Sequence, residues 1–183
     1  MRTTRWITWG TCAGLLLCGG QALAQDRATT AAQAQRVDGD REFLDQALGV
    51  NELELQLARL AAERAGTPEL KAKARKMLEN HTKLGERLSE LAKEAGLSGR
   101  TELSADERAT LARVASQPAS SFDAVFKQTV DDGHVSELAM YQAEVTRAKS
   151  PQLRALAEER VTALKQAVAG AGQSAKTMDG ERR

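Results

Sequence analysis

"TPELKAKARKMLENHTKLGERLSELAKEAG", residues 67–96, is the stretch on which the fold turns. Thr67 stands where a helix N-cap belongs, Pro68 sits at the first helical position where a missing N–H costs nothing, and Gly96 offers a stop. Between them Leu70, Ala74, Met77, His81, Leu84, Leu88, Leu91 and Ala95 recur in alternating steps of four and three. That spacing lays them along one stripe, a seam for packing against other helices. One place on the seam is a titratable ring, His81, where a leucine would serve.

Three further segments carry the same periodicity. The first runs from Gly39 to Ala65, with Leu44, Leu48, Leu55, Ala58 and Ala61 near one face and Gly66 as its stop. Another starts with Phe122, after Ser120 or Ser121, and continues to about Lys149; the last opens at Pro151 and continues to about Ala169. Gly66-Thr67 and Ser150-Pro151 are tight connections, which force antiparallel hairpins. Residues 97–120 are the long exception, with "SADE" at 104–107 as a capping box for a short helix ending near Ser116. A helix of that size covers ~18 Å, and the remaining extended residues add ~40 Å. The bundle itself is ~40 Å long. The connection is therefore long enough to cross the whole bundle and set the second and third long helices parallel. The expected fold is all-α: a ferritin-like four-helix bundle over residues 38–169, with one long crossover containing a short helix.

The ends read differently. Arg2 and Arg5 precede the apolar run "WITWGTCAGLLLC" at 6–18, and "ALA" at 22–24 follows. This order is that of a secretory signal peptide, with cleavage expected after Ala24. The run is shorter than the ~20 residues of a permanent membrane span. Thr11 and Leu17 precede the two cysteines where a lipoprotein signal would place a small residue. The exported chain then has no cysteine and no disulfide. Removing residues 1–24 removes two basic groups from 26, against 25 acidic ones, and the resulting net charge of −1 argues against a nucleic-acid or anionic-membrane surface. Residues 25–37 and 170–183 are polar or small without an apolar face, and are expected to be a flexible leader and a disordered tail.

Polar residues interrupt the stripes at few places. Asn51 and Glu54 share a face with Leu44, Leu48 and Ala58; on the third long helix Phe126, Val130, Glu137 and Tyr141 share a face with His134 beside them; Arg160 lies among Leu153, Leu156, Ala157 and Leu164. Glu54 and His81 lie at similar distances on either side of the turn at Gly66, so the hairpin brings them to one height. Two readings stay open. Asn51, Glu54, His81, His134, Glu137 and Arg160 can form a satisfied polar network that fixes helix register and binds nothing. Alternatively Glu54, His81, Asp131, His134 and Glu137 supply a carboxylate and imidazole set suited to Fe, Mn, Zn or Cu. A dinuclear centre is disfavoured, since Leu78 stands three residues before His81 and the last helix adds no histidine.

No phosphate-cradling glycine loop and no strand-turn-helix nucleophile occurs. The stretches "DREFLDQALGVNELELQLARLAAERA", "PELKAKARKMLENHTKLGERLSELAKEAG" and "SFDAVFKQTVDDGHVSELAMYQAEVTRAKSPQLRALA" resemble, in order and spacing, the bacterial exported family catalogued as domain of unknown function 4142. Asn51, Glu54, Met77, His81, Phe122, Asp123 and His134 fall on the pattern of that family. Asn80 stands where the family has Asp, and Val161-Thr162 and Ala167 replace a Leu-Pro and a later His, which weakens any metal site carried over. The resemblance implies a ferritin-like bundle in the cell envelope without a settled activity. The reading reached is an exported, periplasmic bundle with a non-enzymatic envelope or stress-associated role and no resident cofactor, and the alternative is a metal-binding or metal-dependent redox protein. An envelope protein is the expected kind of partner.

Overall fold

The computed structural model describes the backbone of residues 20–180 and the side chains of residues 38–172. Its described residues form five helices: α1 (Gly20–Arg64), α2 (Pro68–Glu94), α3 (Ala105–Ala115), α4 (Ala119–Arg147) and α5 (Pro151–Gly180). The chain divides into two units, Met1–Gln35 and Arg36–Arg183, and the bundle belongs to the second. The signal segment expected at 1–24 lies outside the described residues up to residue 19. Among the described residues no helix is long and apolar enough to cross a membrane.

The helices overrun the sequence expectation at both ends. Backbone helix begins at Gly20 rather than Gly39 and so includes residues 25–37, expected to be a flexible leader; α5 likewise runs on to Gly180 through most of the expected tail. The missing apolar face had argued for disorder, but Ala, Gln and Arg are strong helix formers, and an interior glycine costs only ~1 kcal/mol.

Each turn is built as its residues dictate. The Thr67 hydroxyl accepts from the Leu70 N–H at 3.2 Å, and Pro68 opens α2. At the far end Gly96 adopts φ +76, its N–H donates to Lys93 O, and the Leu97 N–H donates to Ala92 O. These two bonds make a Schellman cap, which needs a left-handed residue that glycine supplies without strain. Ser104 and Glu107 close the capping box of α3. Helix α4 starts at Ala119, slightly before the expected Phe122, because the Pro118 carbonyl accepts from both Ser121 and Phe122.

Long-range contacts fix the direction of the four long helices. The carboxylate of Asp123, at the start of α4, accepts from the Gly66 N–H in the α1–α2 turn at 3.0 and 3.1 Å. The carboxylate of Asp40, on α1, accepts from the N–H groups of Lys149 and Ser150 in the α4–α5 turn, each at 3.1 Å. Helices α2 and α4 therefore begin at the same end and run parallel, as the crossover length predicts. Arg64 reinforces that end: its guanidinium donates to the carbonyls of Ala115 and Gln117 and lies 4.7 Å from the Phe122 ring centroid. The crossover is held against α1 at Gly49, where any Cβ would collide with the paired Arg100 and Glu107 side chains.

The core comes in two apolar clusters. One gathers Phe43, Leu44, Leu48, Leu88, Tyr141 and Leu164, with Phe43 and Tyr141 meeting edge to face at 5.1 Å. The other gathers Leu57, Ala61, Leu70, Val114, Phe122 and Phe126. Burying side chains of this size contributes roughly 1.5–3 kcal/mol each. On α1, α2 and α4 the positions between the two clusters are where the polar interruptions of the stripes fall, and on α5 Arg160 lies among members of the first cluster.

Candidate functional site

Four helices contribute polar groups to one layer of contacts. Glu54 and Asn51 come from α1, His81 from α2, Glu137 and His134 from α4, and Arg160 from α5. Asn51, Glu54, His81 and Glu137 are buried, each with less than 5% of its surface exposed. The side chains of Arg160 and His134 keep 15% and 18%, so they form the solvent-facing side of the layer.

His81 is the hinge of α1 and α2. Its Nδ1 lies 3.1 Å from Asn51 Oδ1 and 3.0 Å from Glu54 Oε2. Both neighbours are acceptors, so Nδ1 carries a hydrogen. One N–H cannot point squarely at two oxygens; its hydrogen bond goes to Asn51, and Glu54 Oε2 is left with charge attraction and no hydrogen-bond partner of its own. Asn51 fits there because α2 carries Gly85 opposite it: a Cβ at residue 85 would stand 2.7 Å from Asn51 Nδ2.

On the other side, Arg160 holds Glu137 through Nη2 at 2.8 Å and Nε at 3.3 Å, both on Oε2. The same Nη2 is 3.7 Å from Glu54 Oε2, and His134 Nε2 is 3.7 Å from Glu54 Oε1. One guanidinium nitrogen thus serves two carboxylates from two hairpins. Three buried carboxylate atoms of the layer, both oxygens of Glu54 and Oε1 of Glu137, have no hydrogen-bond partner.

The charges sort accordingly. Burial alone would raise the Glu54 carboxyl, but the nearby His81, with Glu137 and His134 behind it, brings it down to about 2. Glu137 is pushed well above the usual carboxylate range by burial and by the Glu54 charge, against the pull of Arg160. Two close buried carboxyls are thus driven in opposite directions, Glu54 down and Glu137 up. Burial also lowers His134, which favours the neutral ring, and raises the Tyr141 hydroxyl one turn below Glu137.

The six residues expected to form a polar cluster are therefore brought together. Asp131 is not: it is half-buried and reaches the layer only through its charge on His134. Among the described residues no group of three or more His, Cys, Asp or Glu is spaced to hold a metal ion as it stands. Met77 packs in the Phe122 cluster one turn from His81, and Asn80, the departure from the family pattern, is exposed on the outer face of α2. A shallow open depression lined by Gly66, Thr67, Pro68, Lys71 and Arg75 lies at the α1–α2 turn, remote from the layer.

Sequence reasoning missed Asp40, which ties the second turn. A signal for it existed: Asp40, Asn51, Glu54, Thr67, Pro68 and Leu70 recur at one constant offset as Asp123, His134, Glu137, Ser150, Pro151 and Leu153. The two hairpins are variants of one plan, and each lends an aspartate to the turn of the other.

The family model described as "Domain of unknown function (DUF4142)" matches residues 25–173. Among curated proteins none matches. Among solved structures, "CopM in the Cu(I)-bound form" is similar with a TM-score of 0.65 at 17% identity, over 76% of this chain and 96% of that one. "CopM in the Ag-bound form (by co-crystallization)" gives 0.62 at 17% identity, over 75% and 96%. At that identity the likeness shows a shared helical-bundle fold.

Proposed function

The chain belongs to the family of the domain of unknown function 4142, and from that premise we propose that it is an exported, periplasmic helical-bundle protein with a non-enzymatic envelope role. In this reading the central charged layer is architecture. The observation that carries it is the position of Arg160: its Nη2 stands 2.8 Å from Glu137 and 3.7 Å from Glu54, so the buried carboxylates already have their cation. A buried charge that is paired needs no ligand to be stable, and a network linking four helices fixes their register. Export rests on the basic, apolar and small-residue order of residues 1–24. The test is metal content and thermal unfolding of the protein from Gln25 onward, purified without a histidine tag, with and without Fe, Mn, Zn and Cu, beside His81→Ala. The expected result is no stoichiometric metal and a variant that is merely less stable. Metal at one per chain, with a rise in Tm that His81→Ala loses, overturns the reading.

A second reading has one observation in its favour, the likeness to a protein solved in Cu(I)-bound and Ag-bound forms. Soft monovalent ions prefer thioether and imidazole ligands. Here Met77 and His81 are one turn apart on α2 and His134 stands across Glu54. Titration of Cu(I) against a competing chelator, with Met77→Leu as the control, tests it.

A further inference from the structure

We propose that the outer face of α4 between Asp132 and Arg147 is a self-association surface, on which a second copy of this chain docks antiparallel about a two-fold axis beside Ala139. The inference stands apart from the central layer, because it uses the side of the helix turned away from the buried Glu137.

Where 28% of residues are charged, a surface helix is expected to carry charge on its outer face. Helix α2 does so: Lys73, Arg75, Lys76, Glu79, Lys83 and Glu86 are all exposed. Helix α4 departs from this. From Gly133 to Thr146 its exposed residues are Val135, Ser136, Ala139, Gln142, Ala143 and Thr146, and none is charged. Their spacing puts them on one side of the helix. Among the described residues Val135 is the one exposed large apolar side chain, with 56% of its surface open. A single exposed valine is ordinary on a surface. This one lies in a strip with no charge to desolvate, and depletion of charge marks the centre of an interface. Ala139 and Ala143 beside it let another helix approach to the short end of the ~8–10 Å range.

The charges at the two ends of the strip decide what covers it. Asp132 stands seven residues before Ala139 and Arg147 eight after it, toward the same flank. Asp132 accepts the Gln128 side-chain amide at 2.8 Å and meets no basic side chain among the described residues. Arg147 reaches Glu144 through Nε at 2.9 Å, yet 54% of its side chain is exposed. An antiparallel copy about Ala139 sets Asp132 of each chain level with Arg147 of the other, and Val135 level with Ala143. Both ends pair at once, as a two-fold contact requires. The strip is ~21 Å long. One helix per partner buries less than the ~1,200 Å2 of a stable interface, so the dimer is weak and depends on concentration.

Sedimentation equilibrium of the full chain from ~10 µM to ~1 mM tests this, as wild type, Ala139→Arg, Asp132→Lys and Gln166→Arg, the last adding the same charge at an exposed position on α5. Wild type is expected to pass from monomer toward dimer across that range. Ala139→Arg sets two guanidinium groups against each other at the axis and is expected to weaken the dimer about tenfold or more. Asp132→Lys is expected to weaken it several-fold, and Gln166→Arg less than about twofold. A wild type that stays monomeric overturns the proposal and leaves the face to a different protein. A dimer that Ala139→Arg leaves intact, or that Gln166→Arg weakens as much, overturns it too, since the contact then lies elsewhere in the chain. Circular dichroism checks that each variant is folded; should Ala139→Arg be unfolded, Val135→Lys takes its place with the same expectation and the same overturning result.

Discussion

At the residue level the layer assigns different work to two chemically identical side chains. The Glu54 carboxyl is brought down to about 2 and the Glu137 carboxyl is pushed up, so an amide is a poorer substitute for the first than for the second. Glu54→Gln is expected to cost about 3 kcal/mol, because it removes the buried negative charge around which the Arg160, His81 and His134 nitrogens are gathered, and Glu137→Gln about 1 kcal/mol or less; urea unfolding at pH 7 measures both. The pH dependence follows in sign. Glu54 is depressed, so its stabilisation is present above the unfolded value of 4.5 and is lost as pH falls toward about 2. Glu137 is raised and acts oppositely, its stabilisation being full below 4.5 and fading as pH rises. His134 is lowered, so stability falls as pH drops below 6.5. Wild type should therefore lose stability steeply between pH 4.5 and 2, and Glu54→Gln should lose markedly less across that window. The two glycines beside the layer separate in the same way. A Cβ at Gly85 would meet Asn51 Nδ2 at 2.7 Å, and one at Gly133 would meet Glu54 Oε1 at 3.9 Å, an ordinary contact. Gly85→Ala should destabilise by about 1–3 kcal/mol through overpacking, and Gly133→Ala should stabilise by up to ~1 kcal/mol through helix propensity. Opposite shifts in Tm would confirm the pair.

Between elements, stability concentrates at the turns. Asp40 and Asp123 accept backbone N–H groups from the turn of the opposite hairpin, so each locks two helices that are distant in sequence. Asp40→Ala and Asp123→Ala are each expected to cost about 1–3 kcal/mol, since turn donors lose their charged acceptor. The sites lie at opposite ends of the bundle and share no partner, so the double variant should be additive within about 0.5 kcal/mol; strong coupling would contradict their independence. The caps at Thr67, Ser104 and Gly96 were legible beforehand because each acts within one turn of its own chain. The aspartate clasps were not, because a carboxylate that serves a distant turn leaves no local pattern; only the repeat of spacing between hairpins betrays them. The helices run to Gly20 and Gly180 rather than to Gly39 and about Ala169 for a related reason: an apolar face reports packing, and a polar helix can continue without one.

On the scale of the molecule, the hydrophobic core comes in two clusters, and a layer of polar side chains links the four long helices. Replacing Asn51, Glu54, His81, Glu137 and Arg160 together by Leu or Met of similar volume should leave stability unchanged or raise it by about 1–4 kcal/mol, because the desolvation of the ions disappears with them. Thermal unfolding with near-ultraviolet circular dichroism checks this, and a variant that is helical but loses fixed packing would show that the layer specifies a single register. What the sequence determined by itself was the number, polarity and pairing of the long helices, the parallel crossover and the height at which Glu54 and His81 meet. Those follow from periodicity, turn residues and chain length, all of which act locally. What only the tertiary structure decided was the partnership inside the layer: that His81 bonds Asn51, that Asp131 stays outside, and that one Arg160 nitrogen faces two carboxylates from two hairpins. Such choices depend on which side chains four helices bring to one point, and distances of a few ångströms there decide whether a carboxylate meets a proton, a guanidinium or a metal ion.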